Sequence, residues 1–299
     1  MTSATHAFFA GLVDYAGLFP PAALPMARAL ADYAAHLGGS DAWILGRLVV
    51  PVRRLEELAS ALATLPADSF AAGPWRLTAI AGPDLAADLA GVRAFHASHG
   101  ESVVRVTALE TVARDGAEVA RARAAVPPTL PLIVELPLDG DLAALAGAVR
   151  AAGATAKVRA GGVTPGDIPA PAALLAFLAA CARERLAFKA TAGLHHPVRG
   201  PRALTYAPDA PRATLFGYLN VFVAALVLWH GGDAADAARI HAEEDPAPFR
   251  LDGEAVAWRG LAFGEPEVAA ARAGFATAIG SCSFREPVEE IRELGVRLA

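Results

Sequence analysis

Lysine is nearly absent from this 299-residue chain: of 26 basic residues, only Lys157 and Lys189 are lysines, and the rest are arginines. Cysteine is as scarce. Cys181 and Cys282 are the whole supply, which excludes a disulfide framework. Positive charge is not in surplus either; the formal net charge of −5 leaves no basic face for a nucleic-acid backbone. The first residues, Met-Thr-Ser-Ala-Thr-His, lack the basic and apolar regions of a signal peptide. The apolar run Leu215 to Trp229 is interrupted by Gly217, Tyr218 and Asn220 and is shorter than the roughly 20 residues that span a bilayer. These absences predict a cytoplasmic protein with neither a nucleic-acid nor a membrane partner.

Two motif absences narrow the chemistry. No Gly-x-Gly-x-x-Gly follows an early strand, which argues against a doubly wound dinucleotide-binding sheet. Neither His-x-His nor His-Glu-x-x-His occurs, so no local pattern marks a metal site.

Apolar residues are plentiful. They make up 55% of the chain against 19% charged, enough for a large core and too many for disorder. They fall into a repeated unit of apolar strand, then Gly, Pro or Asp, then an Ala/Leu-rich helix. The pattern predicts strands at Gly11–Leu18, Trp43–Val50, Trp75–Ala81, Ser102–Ala108, Pro131–Leu136, Thr155–Arg159 and Leu186–Thr191. Helices are predicted at Pro21–Leu37, Arg54–Leu65, Pro83–Ser98, Thr111–Ala125, Asp141–Ala152 and Ala170–Glu184. Alternation of this kind implies parallel strands and right-handed crossovers. The eighth unit is read with Ala255–Arg259 as its strand, and with Glu265–Ile279 and Pro287–Leu298 as closing helices. The expectation is an α/β fold, a single-domain (β/α)8 TIM-type barrel over residues 1–299. Apolar Phe216–Trp229 is expected as a barrel-wall helix or a subunit interface, the latter implying a homo-oligomer.

In such a barrel, chemistry sits where strands end. The polar residues there are Asp14 and Tyr15, Arg53, Thr107 and Glu110, Glu135, then Lys157 and Arg159, and finally Lys189, Thr191, His195 and His196. The two lysines hold equivalent places in consecutive units, a separation that fits one βαβ repeat of about 30 residues or more. That spacing puts them at similar height on adjacent strands. Arginine stays protonated, whereas a buried lysine can lose its proton and act as a nucleophile. Two close ammonium groups in a dry site each disfavour the other's charge, so a lowered lysine pKa is expected.

The segments AKVRAGG and AFKATAGL, joined by the helix PAALLAFLAACARERL, resemble the lysine-bearing strands of Schiff-base (class I) aldolase barrels, particularly deoxyribose-phosphate aldolases. The resemblance covers about 40 residues. It implies that Lys157 forms the imine and that Lys189 tunes it. An Asp at the end of the fourth strand is missing from the pattern, and Glu135, one strand later, is the substitute expected to relay protons, together with Asp14. The motifs DYAGLFPPA, FKATAGLHHP and SCSFREP also resemble a bacterial protein family, and this second resemblance implies no activity.

The function expected is therefore a lyase, aldolase-like, acting on a small anionic carbonyl compound without a cofactor. Arg159, Gly161, Gly162, Thr191, His195 and His196 are the expected substrate-binding residues. Gly161-Gly162 suits close backbone approach to a phosphate or carboxylate. Two alternatives stand beside this one. A divalent metal bound by His195 or His196 with Glu135, Asp14 or His241 would make a metal-dependent lyase, isomerase or hydrolase; adjacent histidines on extended backbone point opposite ways, so one would serve. A barrel that binds a small anion without catalysis is the other. Asp14 is read as an acid/base or as a partner of Lys157. Cys282, with no histidine nearby in sequence, is read as a small buried hydrophobe.

Overall fold

A short apolar strand followed by a helix can pair in parallel with the next strand, because the helix carries the chain back along the sheet. In the computed structural model, which describes residues 3–99 and 103–298, this happens six times in succession and joins seven strands. Helix α1 (Ala4–Phe9) leads into β1 (Val13–Tyr15), α2 (Met26–Leu37), β2 (Leu45–Pro51), α3 (Leu55–Leu62), β3 (Trp75–Ile80) and α4 (Leu85–His99). The alternation continues through β4 (Val104–Val112), α5 (Gly116–Ala125), β5 (Leu132–Glu135), α6 (Leu142–Ala151), β6 (Thr155–Arg159), α7 (Pro171–Arg183) and β7 (Phe188–Thr191).

The chain then departs from the repeat. Strands β8 (Gly200–Ala203) and β9 (Arg212–Leu215) pair as an antiparallel hairpin. Helices α8 (Tyr218–Trp229) and α9 (Ala234–Ala242) follow, then β10 (Phe249–Leu251), β11 (Ala255–Trp258) and β12 (Leu261–Gly264) in a small antiparallel sheet. Helix α10 (Glu265–Gly274), β13 (Ala276–Ser281) and α11 (Arg285–Glu293) end the described chain. Strand β13 slots between β1 and β7, closing an eight-stranded barrel in the order β1-β13-β7-β6-β5-β4-β3-β2, parallel throughout. The fold is a (β/α)8 barrel.

The eighth strand is a correction. Ala255–Trp258 is the middle strand of the small antiparallel sheet, and the barrel strand is Ala276–Ser281, which overlaps the end of the segment Glu265–Ile279 expected to be helical. Alanine spacing carries the helical pattern of α10 past Gly274, but the open slot between β1 and β7 offers residues 276–281 hydrogen-bond partners on both sides. Two boundaries also move. Helix α2 begins at Met26 rather than Pro21, and Pro20-Pro21, a cis pair, lies in the loop before it. Strand β4 runs on to Val112 because Leu109–Val112 pairs with β5, and α5 starts only after Asp115 caps Glu118 N. Ser102, at the predicted start of that strand, lies outside the described residues.

Helix α8 belongs to the barrel wall. Every residue from Tyr218 to Val227 is buried within the chain's own fold, with Phe222 against Phe8 and Phe188. Among the described residues one helical stretch, Pro165–Arg183, is long and apolar enough to cross a membrane; its Leu174, Phe177, Leu178 and Cys181 are buried in the core.

Candidate active site

Side chains alternate across a strand, so burying one set against the helices turns the other set inward. On β7, Phe188 packs on Phe177 of α7 and Phe222 of α8, which directs Lys189 into the barrel. The pairing of β6 with β7 sets Lys157 directly opposite Lys189. They sit side by side on adjacent strands, as their spacing predicted, and both are buried.

Three carboxylates surround them. Glu110, on β4, reaches both ammonium groups, with Oε2 at 2.5 Å from Lys157 Nζ and Oε1 at 2.8 Å from Lys189 Nζ. Glu135 Oε2 lies 3.0 Å from Lys157 Nζ. Asp14 Oδ2 lies 2.6 Å from Lys189 Nζ, and its Oδ1 accepts the Arg47 backbone N–H at 2.7 Å. Asp14 therefore holds Lys189 rather than Lys157, since β1 is one strand from β7 across β13. Gly46 makes this possible: a Cβ there would sit 2.2 Å from Asp14 Oδ1.

The carboxylates reverse the expected electrostatics. Burial pushes the Lys189 pKa down, but Asp14 and Glu110 together override it and raise the value above the usual lysine range. Glu110 shows the converse. Burial disfavours its charge, yet Lys189 and Lys157 hold it ionised, with a pKa lowered to about 2. The amines are thus screened from one another by the shared Glu110 carboxylate, and the predicted lowering by mutual repulsion is not what this geometry produces for Lys189.

A cavity of about 520 Å³ opens above this cluster at the C-terminal ends of the strands. Lys157, Lys189 and Glu110 form its charged floor, and Arg159, Thr191, His195 and His196 also line it. The two histidines do not point apart. The segment after β7 is irregular, with Ala192 and Gly193 at positive φ, and both rings turn to one face of α11: His195 Nδ1 lies 2.8 Å from Glu286 and His196 Nδ1 2.6 Å from Glu290. Burial opposes charge on His195, but the Cys282 sulfur and Glu286 raise its pKa to about 10. Cys282 is buried, as expected, but it follows β13, lines the cavity, and has its Sγ 3.7 Å from His195 Nε2.

Gly162 lines the cavity, with Asp167 packed against it: a Cβ on Gly162 would meet the Asp167 carboxyl at about 2.6 Å, and one on Gly161 would sit 3.1 Å from Gly193 Cα. Asp167 accepts the N–H groups of Val163 and Thr164, which follow the Gly-Gly pair. Arg202, on the β8–β9 hairpin, lines the cavity and has a buried Nε without a hydrogen-bond partner. Among the described residues no group of three or more His, Cys, Asp or Glu side chains is placed to hold a metal ion. Asp14 and Glu135 are engaged by the lysines, and His241 is buried against Phe216.

Glu110 stood among the polar residues at the end of the fourth strand, but nothing in the linear pattern gave it a role; the closed barrel makes it the shared partner of both lysines. No protein-family model matches the chain, and no curated protein matches it. Fold and cavity together define a (β/α)8 barrel with its charged pocket at the strand ends, the place where barrels of this class commonly carry enzymatic sites.

Proposed function

We propose that this protein is a carbon–carbon lyase that acts on a small anionic carbonyl compound through a Schiff base on Lys157. The observation that carries the reading is one buried carboxylate, Glu110, hydrogen-bonded to two lysines on the cavity floor. A lysine ammonium is no nucleophile until it loses a proton, and Glu135 Oε2, 3.0 Å from Lys157 Nζ, is placed to take it. The freed amine adds to the substrate carbonyl carbon, and the oxygen departs as water after accepting protons, one of them returned by Glu135. Lys189 stays charged between Asp14 and Glu110, so Glu110 stays an anion beside the positively charged imine that forms on Lys157. The protonated imine then accepts the electron pair of the adjacent carbon–carbon bond. Arg159 and Arg202 supply positive charge at the cavity wall for an acidic substrate.

Reductive trapping tests this. The protein is incubated with small aldehydes, ketones and 2-oxo acids plus borohydride, then digested and mapped. With two lysines in the chain, assignment is direct. Selective labelling of Lys157 by one carbonyl class is the expected result. Labelling no faster than that of an exposed amine, across the whole set, overturns the reading.

A further inference from the structure

The same cavity holds a cluster that imine chemistry leaves unused, beginning just past β13, the strand that pairs with the Lys189 strand. Cys282 Sγ is 3.7 Å from Nε2 and 3.9 Å from Nδ1 of His195, and 3.8 Å from the Tyr206 hydroxyl. Glu286 holds the His195 ring through Nδ1 at 2.8 Å. A thiol, an imidazole beside it and a carboxylate fixing that imidazole are the parts of an activated nucleophile. They come from the strand end after β13, the loop after β7 and α11, with Tyr206 contributed by the hairpin loop. All four side chains line the cavity. Cys181 is the internal contrast: it is buried in α7, where burial pushes its thiol pKa up and no such neighbours stand.

We infer that Cys282 is a second covalent site in this cavity, adding reversibly to small aldehydes to form hemithioacetals. The sulfur bonds to the carbonyl carbon, and the carbonyl π pair moves onto oxygen. The proton given up by the thiol passes through His195 to that oxygen. No group leaves and nothing is oxidised or reduced, so the step needs no co-reactant. Tyr206 stands beside the sulfur, with its hydroxyl placed to hydrogen-bond the new oxygen. The choice of an aldehyde rests on the proposed lyase, since cleavage next to an imine at Lys157 releases a carbonyl fragment into the same space; the thiol site itself does not rest on it.

The test uses acetaldehyde labelled with carbon-13 at its carbonyl, observed by NMR with the full-length protein. A bound sp3 resonance, distinct from free aldehyde and its hydrate and lost in Cys282→Ser, is expected. No such resonance, or one that persists in Cys282→Ser, overturns the proposal. An imine resonance, assigned by reduction onto Lys157, reports separately on the lyase; its absence beside a Cys282 adduct leaves the thiol site standing, and the lyase stands or falls with trapping across the full carbonyl set. Iodoacetamide supplies the second measurement. The ionisable groups around Sγ are His195, Glu286, Tyr206 and Tyr15. At pH 7, His195→Gln slows alkylation of Cys282 roughly tenfold. Equal rates in the two proteins overturn the activation by His195.

Discussion

Lys157 and Lys189 face each other on adjacent barrel strands, and a single carboxylate from two strands further round the barrel bonds them both. That arrangement makes the two amines one electrostatic unit with Glu110 at its centre. Changes at any member are felt by the others, and the consequences are measurable.

Removing the central charge leaves Lys157 with Glu135 alone and Lys189 with Asp14 alone. Glu110→Gln is expected to lower unfolding free energy at pH 7 by about 3–5 kcal/mol, as loss of one partner from a buried ion pair does. The wild-type acid profile should show the same group. Glu110 has a folded pKa of about 2 against an ordinary 4.5, so its contribution is present above pH 4.5 and is lost as pH falls toward 2. Urea titrations across that range, wild type against Glu110→Gln, check both expectations; parallel profiles would refute them.

His241 gives a separate window. It is buried against Phe216, its Nε2 lacks a partner, and burial, with the Arg199 cation, lowers its pKa from 6.5 to about 4. A base that must stay neutral to remain folded contributes fully above pH 6.5, and its contribution drains away as pH falls toward 4. About 3 kcal/mol of stability should be lost over that interval, at about 1.4 kcal/mol per pKa unit. His241→Phe should flatten this part of the profile while leaving the Glu110 window in place.

Lys157→Arg keeps the positive charge beside Glu110 and Glu135 but cannot form an imine. Borohydride-dependent labelling in this variant should fall to the level of an exposed amine, and turnover of any substrate found should vanish. Retained turnover in a folded Lys157→Arg protein would move the chemistry elsewhere in the cavity.

Gly46 is a remote control on the same cluster. A methyl group there would meet Asp14 Oδ1 at 2.2 Å and the Val13 carbonyl at 3.2 Å, so Gly46→Ala must shift Asp14 off Lys189. A loss of about 1–3 kcal/mol, the cost typical of overpacking, is expected in denaturant unfolding. The same variant should slow imine trapping, although Gly46 does not line the cavity. Unchanged stability would show that the strand yields without displacing the carboxylate.

Local chemistry in the chain was enough to determine much of this. Strand–helix alternation marked the first seven barrel strands, because the 3.6-residue and two-residue periods are written in the side chains themselves. The near-absence of lysine singled out Lys157 and Lys189, and one βαβ repeat between them set them side by side. Only tertiary structure decided the rest. Residues 276–281 are a strand because β1 and β7 leave an unpaired slot, a long-range condition that an alanine-rich segment does not announce. Glu110, 47 residues from Lys157 and 79 from Lys189, becomes their shared partner only when the barrel closes. Cys282 gains His195 from 87 residues away for the same reason. Barrel closure converts distant strand ends into neighbours and removes water from between them, so it also set the sign of the Lys189 pKa shift that the lysine spacing alone had pointed the other way.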